Sequence, residues 1–170
     1  AVRQGMLAAI ARGAAFVGYM DADGSIPLSE AERVLQQFTA EKDVVIGSRV
    51  KMIGYNIGRT FLRHYIGRVF ATCASITLGQ AIYDPQCGMK WFRVNDRLKK
   101  SLSAPFHSRW AFDVELLGRL LKDNRISRFE EVPIRNWKEI AGSKVKPWDL
   151  PISLLQLLLI KLHLNRWRKR

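Results

Sequence analysis

Ala15-Phe16-Val17-Gly18-Tyr19-Met20 runs directly into Asp21-Ala22-Asp23-Gly24. The first six residues are a short apolar run bounded by turn signals, the pattern of a buried strand. Asp21 and Asp23 therefore fall at that strand's carboxyl end. Upstream, residues 2–12 read as an alanine-rich helix carrying Met6, Leu7 and Ile10, with Gly13 as its stop. Downstream, Ser29-Glu30-Ala31-Glu32 reads as a capping box ahead of Val34, Leu35 and Phe38. Asp43-Val44-Val45-Ile46-Gly47-Ser48-Arg49 then reads as a second buried strand ending in a turn. Strand, helix and strand in that order predict an α/β fold with a mostly parallel sheet and flanking helices. Ligands of such sheets bind beyond the carboxyl ends of the strands, where Asp21, Asp23, Ser48 and Arg49 all fall. Two adjacent parallel strands would deliver these residues to one crevice.

Beyond that core the pattern is mixed. Residues 56–79 read as one long helix in which Arg59, Arg63 and Arg68 interleave with Phe61, Leu62, Tyr65, Ile66, Val69 and Phe70. Arg59 and Arg63 are four apart and share a face. That face is either the solvated side of an amphipathic helix or a membrane-facing surface with phosphate-binding arginines. Residues 109–122 read as a helix with Trp110, Phe112, Leu116, Leu117 and Leu120 as its apolar set, and residues 129–135 as a strand. The tail, residues 151–170, is leucine-rich and amphipathic, and ends in Arg166, Arg168, Lys169 and Arg170. It reads either as a packed helix or as an interfacial segment.

At 170 residues, 48% hydrophobic and 25% charged, the chain has the length and composition of one globular domain. Its charge is less ordinary: 28 Lys and Arg against 15 Asp and Glu leave +13. An excess of that size implies an anionic partner, whether nucleic acid, an anionic membrane surface or a phosphorylated substrate. Nucleic acid is disfavoured, because the basic residues are dispersed and no stacking platform accompanies them. Cys73 and Cys87 lack metal-ligand spacing and read as reduced thiols of a cytosolic setting. No stretch reaches the roughly 18 apolar residues of a membrane span.

Two carboxylates at a strand end, Asp21 and Asp23, suit a hard divalent cation such as Mg²⁺ or Mn²⁺ bridging to a diphosphate. A calcium loop of the EF-hand type is the competing assignment, since Asp21, Asp23, Ser25 and Glu32 fit its positions 1, 3, 5 and 12. Ile26 stands where that loop requires glycine, and a strand precedes it, so the assignment fails. Arg49 is a turn arginine or a guanidinium aimed at the same phosphate. In Asp84-Pro85-Gln86-Cys87-Gly88-Met89-Lys90-Trp91-Phe92, Asp84 is either a turn cap or a carboxylate facing an acceptor. Gly88 permits close backbone approach to a ligand, and Lys90 is an added cation or a solvated one. Asp113 and Glu115 fall at a helix start, where acidic residues also favour the helix dipole.

These segments, in this order, resemble the family 2 inverting glycosyltransferases, in the branch of dolichyl-phosphate glucosyltransferase and dolichyl-phosphate mannose synthase. The matching pieces are Asp21-Ala22-Asp23-Gly24, Gly47-Ser48-Arg49, Asp84 with Gln86-Cys87-Gly88, Lys90 and Phe92, and Arg109-Trp110-Ala111-Phe112-Asp113-Val114-Glu115. Glu131-Val132-Pro133-Ile134 and Trp137-x-Glu139-Ile140-x-Gly142-Ser143-Lys144 extend it. The last stretch looks more like the glucosyltransferase branch. The resemblance implies a Rossmann-like glycosyltransferase A fold over residues 1–150, followed by a basic amphipathic tail over 151–170. It implies Asp21 and Asp23 as holders of Mg²⁺ or Mn²⁺ and of the donor diphosphate, with Asp23 and Asp84 in the catalytic centre. Arg49, Arg59 and Arg63 would bind donor or acceptor phosphates, Gln86, Gly88 and Lys90 would lie on the acceptor side, and the loop with Ser143 and Lys144 would close over the site. The implied donor is UDP-glucose, with GDP-mannose as the alternative, and the implied acceptor is a polyprenyl or dolichyl phosphate; a non-catalytic remnant of such a transferase is the other alternative. The implied place is the cytoplasmic face of a membrane, held peripherally. Pro85 departs from the Thr or Ser more usual there. The family's first strands and nucleoside-binding segment would precede Ala1, so the chain is expected to be a piece lacking them.

Overall fold

The computed structural model describes residues 1–58, 60–123, 125–138, 140 and 149–167, without the side chains at 62, 63 and 149. Six helices flank a four-stranded sheet and a two-stranded one. The first helix, α1 (Val2–Ala11), and the strand β1 (Phe16–Met20) fall where the apolar runs place them, but β1 is an edge strand with Val17 alone buried, not the buried strand expected. Gly13 turns the chain between them at φ 83°. Helix α2 (Leu28–Leu35) and strand β2 (Val44–Ser48) follow. The capping box expected at Ser29 does not form, because α2 begins earlier, with Pro27 as its cap residue and no side-chain cap bond. Glu30 instead accepts from Arg33 at 2.7 Å and from the Arg135 N–H at 3.1 Å, tying α2 to the far end of the chain.

The long helix expected over residues 56–79 is shorter. Asn56–Gly58 forms β3, and the helix α3 runs Phe61–Leu78, closed by Gly79 at φ 68°. The reason is tertiary: β3 finds a parallel partner in β6 (Asn136–Lys138), a pairing between segments far apart in the chain.

Strand β4 (Met89–Arg93) makes the largest change to the expected layout. The order in the main sheet is β1-β4-β2-β5, with β5 spanning Phe129–Pro133. β1, β2 and β5 point the same way, and β2 pairs with β5 in parallel register. β4, however, lies antiparallel between β1 and β2, which are therefore not neighbours. The α/β reading with a mostly parallel direction holds; the adjacency of the first two strands does not. The reversal has a functional consequence. β4 starts at the end where β1 and β2 finish, so the loop leading into it is delivered between their carboxyl ends.

On one face of the sheet, Val17, Val44, Ile46, Phe92 and Phe129 pack with Met6 of α1, Leu98 and Leu102 of α4 (Asp96–Leu102), and Leu116, Leu117 and Leu120 of α5 (Phe112–Asp123). Helix α4 was not anticipated, although Asn95 caps it by accepting the Leu98 N–H at 2.9 Å. Helix α5 starts later than residue 109, because the Ser108 hydroxyl accepts the Ala111 N–H at 2.8 Å and ends the turn there. Trp110 consequently lies outside the helix and exposed. The other face holds Val45, Met89, Val132 and Ile134 against Val34 of α2 and against Ile57 and Trp137 of the small sheet.

A last helix, α6 (Asp149–Trp167), lies against α3 and α5. It buries Leu157, Ile160 and Leu164 beside Phe70, Ala74, Ala111 and Val114. Each such side chain contributes roughly 1.5–3 kcal/mol. The packed-helix reading of the tail therefore describes one side of it, while Ile152, Leu155, Leu158, Leu159 and Leu162 face outward, each more than half exposed. Among the described residues no helix is long and apolar enough to cross a membrane.

Candidate functional site

Three strand ends and one loop converge. At the end of β1 the Asp21 N–H donates to Gly88 O at 2.7 Å, extending the β1–β4 ladder one residue past Met20. This contact sets Gly88 directly against the Asp21 side chain, and a Cβ on Gly88 would collide with that carboxylate. Asp23 bends back to accept the Ser25 N–H at 2.9 Å, which fixes the turn, while Ser25 O accepts the Lys138 N–H at 3.0 Å. The strand end and the small sheet are thereby joined.

Partial burial raises the Asp21 carboxyl above its ordinary range, and the neighbouring Asp23 adds to the rise, against Lys90 and Arg49. Two carboxylates with mutual repulsion at an open strand end fit a hard divalent cation, whose oxygen preference they match and whose charge would relieve them. The residues therefore suit Mg²⁺ or Mn²⁺.

Arg49, just after β2, grips Asp84 through two parallel bonds, Nε to Oδ2 and Nη2 to Oδ1, both 2.7 Å. Its backbone N–H also donates to Asp84 Oδ2 at 3.0 Å, and Nη2 reaches Gln86 O at 3.2 Å. Burial opposes the charge on Arg49, but Asp84 more than offsets it and raises the guanidinium pKa. Asp84 thus accepts a backbone N–H, as its turn-cap reading has it, and holds an arginine with both oxygens. Trp137 stands 5.7 Å from the guanidinium carbon and backs it.

Arg49 also borders a cavity of about 310 Å³, lined further by Lys51, Ile57, Phe61, His64 and Tyr65. One wall is cationic and the other apolar and aromatic. Phe61 and Tyr65 are largely exposed, so the cavity opens beside the outer surface of α3.

Asp21, Asp23, Arg49, Asp84, Gln86 and Gly88 are thus brought to one rim. Lys90 is not: it is fully buried, donating to Cys87 O at 2.7 Å and to Asp113 at 3.3 Å. It underlies the site rather than lining its acceptor side. Its strand position explains this, since Lys90 pairs with Tyr19 and Ile46 in the middle strand of the sheet. Cys87 is buried as well, and burial first, then Asp84, pushes its thiol up to about 12, so it is not a nucleophile near neutral pH. Arg59, Ser143 and Lys144 lie outside the described residues, and Arg63 is placed by its backbone in α3 alone. Sequence reading passed over Lys51 and His64, which no motif marks.

A second cluster lies apart from this rim. His107 Nδ1 is 3.1 Å and His163 Nε2 3.8 Å from Glu115 Oε1, close enough together to hold an ion. The histidine rings lie 3.7 Å apart at a 40° tilt, however, and Arg119 already donates to the same oxygen at 2.6 Å. Burial works against the charge on Glu115, but hydrogen bonds from His107 and Ser108 and the Arg119 charge leave its carboxyl below the ordinary range. The cluster serves to dock α6 onto α5.

No family model matches the chain. Curated proteins do. It is 35% identical over 155 residues to the dolichyl-phosphate beta-glucosyltransferase of Drosophila melanogaster, covering 87% of this chain and 45% of that one. To the human protein of the same name it is 31% identical over 162 residues, covering 87% and 48%. To the polyprenol monophosphomannose synthase of Mycolicibacterium smegmatis it is 30% identical over 135 residues, covering 79% and 50%. The chain thus spans about half the length of the curated relatives it matches. With 30–35% identity to these proteins over 79–87% of its length, the chain belongs to the polyprenyl-phosphate branch of the family 2 glycosyltransferases.

Proposed function

We propose that the protein containing this chain transfers a hexose, glucose in the first instance, from UDP-glucose to a dolichyl or polyprenyl phosphate with inversion at the anomeric carbon. The observation that carries the reading is the adjacency of two unlike subsites. The Asp21–Asp23 strand end suits a cation-bound diphosphate, and the Arg49 cavity combines cations with an aromatic wall as a phosphate on an apolar chain requires. Glucose is preferred because the relatives with 31–35% identity cited above are named for it; mannose from GDP-mannose is the second reading, after the mycobacterial relative.

In the proposed reaction, a phosphate oxygen of the acceptor attacks the anomeric carbon as the bond to the nucleoside diphosphate breaks. A phosphate monoester has a second pKa of about 6 and is largely ionised at neutral pH, so the step demands no strong base. Mg²⁺ or Mn²⁺ held by Asp21 and Asp23 would offset charge on the departing diphosphate. Arg49, fixed by Asp84, and Lys51 would hold the acceptor phosphate; Phe61 and Tyr65 would take the first isoprene units. On the same reading Arg59 and Arg63 would bind donor or acceptor phosphates, and the loop with Ser143 and Lys144 would close over the site.

The test is transfer of labelled sugar to polyprenyl phosphate by the full open reading frame that contains this chain, with Mg²⁺ and either donor. Organic-extractable product from UDP-glucose alone supports the reading, product from GDP-mannose alone selects the second, and none from either overturns both. In that assay Gly88→Ala is expected to lower turnover about a hundredfold, the scale of a 1 Å misplacement of a reacting group. Its circular dichroism spectrum should stay unchanged.

The outward faces of α3 and α6 support a peripheral seat on the cytoplasmic face of a membrane. Phe61, Tyr65 and Ile76 of α3 join the outward leucines of α6, on a chain of net charge +13. Apolar insertion and attraction to anionic lipid then act together. Leu155→Glu with Leu159→Glu, both outside the core, should weaken flotation with anionic vesicles more than tenfold. Unchanged flotation would leave α6 a packed helix only.

A further inference from the structure

The loop that carries Asp84 does not hold itself. The N–H groups of Tyr83 and Asp84 both donate to the Glu131 carboxylate, to Oε2 at 2.7 Å and to Oε1 at 2.9 Å. Glu131 sits in β5 opposite Ile46 of β2, on the sheet face where Phe129 and Ile46 join the core. Strand alternation calls for an apolar side chain at that register position, and Glu131 there is partly buried. Both oxygens are bonded to backbone of the site loop. We propose that Glu131 is a positioning residue for the transfer reaction: it fixes the Tyr83–Asp84 backbone so that Asp84 presents both oxygens to Arg49. The inference rests on the function proposed above.

The geometry forms a chain of constraints with one direction. Glu131 is anchored in a sheet strand and holds the backbone at residue 84. Asp84 then holds Arg49 by three bonds, and Arg49 borders the cavity. Arg68 braces the same loop from α3, donating to Tyr83 O at 2.6 Å and lying 3.9 Å over its ring. With Glu131→Gln one oxygen becomes an amide donor that faces a donor N–H, so one of the two bonds is lost and the turn loosens.

Two measurements on the Glu131→Gln protein test this. Amide exchange at Tyr83 and Asp84 should speed up about tenfold or more, with exchange in β2 and α5 unchanged. In the full open reading frame, kcat should fall about tenfold while KM for the sugar nucleotide stays within twofold, because the donor end is untouched. Glu130→Gln is the control: its carboxylate meets Lys42 at 2.9 Å instead of the loop, and neither readout should move. Unchanged exchange at residues 83 and 84 overturns the proposal whatever the activity. Equal acceleration throughout the sheet, or a matched change in kcat and KM, overturns it in favour of a general structural role. Absence of transfer by the unsubstituted protein would sink the transferase reading, and with it Glu131's part in catalysis. The exchange result would then decide only whether Glu131 holds the loop.

Discussion

Asp23→Asn is expected to reduce sugar transfer by roughly 10²–10³, the scale of losing one preorganised electrostatic contact to a developing charge. The substitution keeps the side-chain oxygen that accepts the Ser25 N–H, so the turn after β1 survives and the loss is chemical. Asp21→Asn should cost as much, since on the proposed reading both carboxylates would hold the cation. Asp84→Asn should cost less: an amide oxygen still accepts one Arg49 bond, and in the proposed reaction Asp84 would act on the acceptor phosphate only through that arginine. A loss from Asp84→Asn equal to or larger than that from Asp23→Asn would overturn this ordering. The pH dependence follows from Asp21. Its carboxyl is raised, so protons compete with the cation from above the ordinary carboxylate range. Affinity for Mn²⁺, measured by isothermal titration, should therefore be full near neutrality and fall as pH drops through that raised value. Asp23→Asn, by removing the neighbouring negative charge that adds to the rise, should move the fall to lower pH.

Arg119→Met is expected to produce the largest loss of stability. Arg119 is fully buried, paired with the fully buried Glu115 at 2.6 Å, and donates to the carbonyls of Ser101, Ala104 and Pro105 at 2.7–2.9 Å. It also lies 4.4 Å from the Trp167 ring at the end of α6. One side chain thus ties α4, the following loop, α5 and α6 together. Removing one partner of a buried pair costs about 3–5 kcal/mol, because the other charge stays uncompensated. For a chain of this size that corresponds to a fall in Tm of roughly 6–20 °C. Thermal unfolding followed by circular dichroism checks it. Adding Glu115→Gln should restore part of the loss by removing the orphaned charge. If the double variant is as unstable as the sum of its parts, the three carbonyls rather than the ion pair carry the effect.

Much of the fold and of the site was legible because local signals are strong there. β1 and β2 are short apolar runs of strand length bounded by turn signals, and acidic or basic residues immediately follow both. That placed Asp21, Asp23 and Arg49 at carboxyl ends before any packing was known. β3 was not legible, since Asn56-Ile57-Gly58 has no alternation long enough to register and forms a strand only because Asn136–Lys138 comes alongside. Lys90 was misjudged for a related reason. A lysine in a sequence is read as solvated or ligand-facing, whereas this one sits in a middle strand, where Asp113 meets its charge. Glu131 was quoted among the matched segments without a role, because its partners are backbone N–H groups 47 and 48 residues away.

What the amino-acid order determined by itself was the α/β class, the identity of the charged residues after each strand, and the resemblance to the family 2 glycosyltransferases. Periodicity and turn chemistry act over a few residues, so they are readable in one dimension. What only the tertiary structure decided was the insertion of β4 between β1 and β2, and with it the delivery of Asp84 to Arg49 and of Gly88 to Asp21. Strand order is set by which apolar faces can be buried together and which distant backbone groups can satisfy one another, and neither has a local signature in the chain.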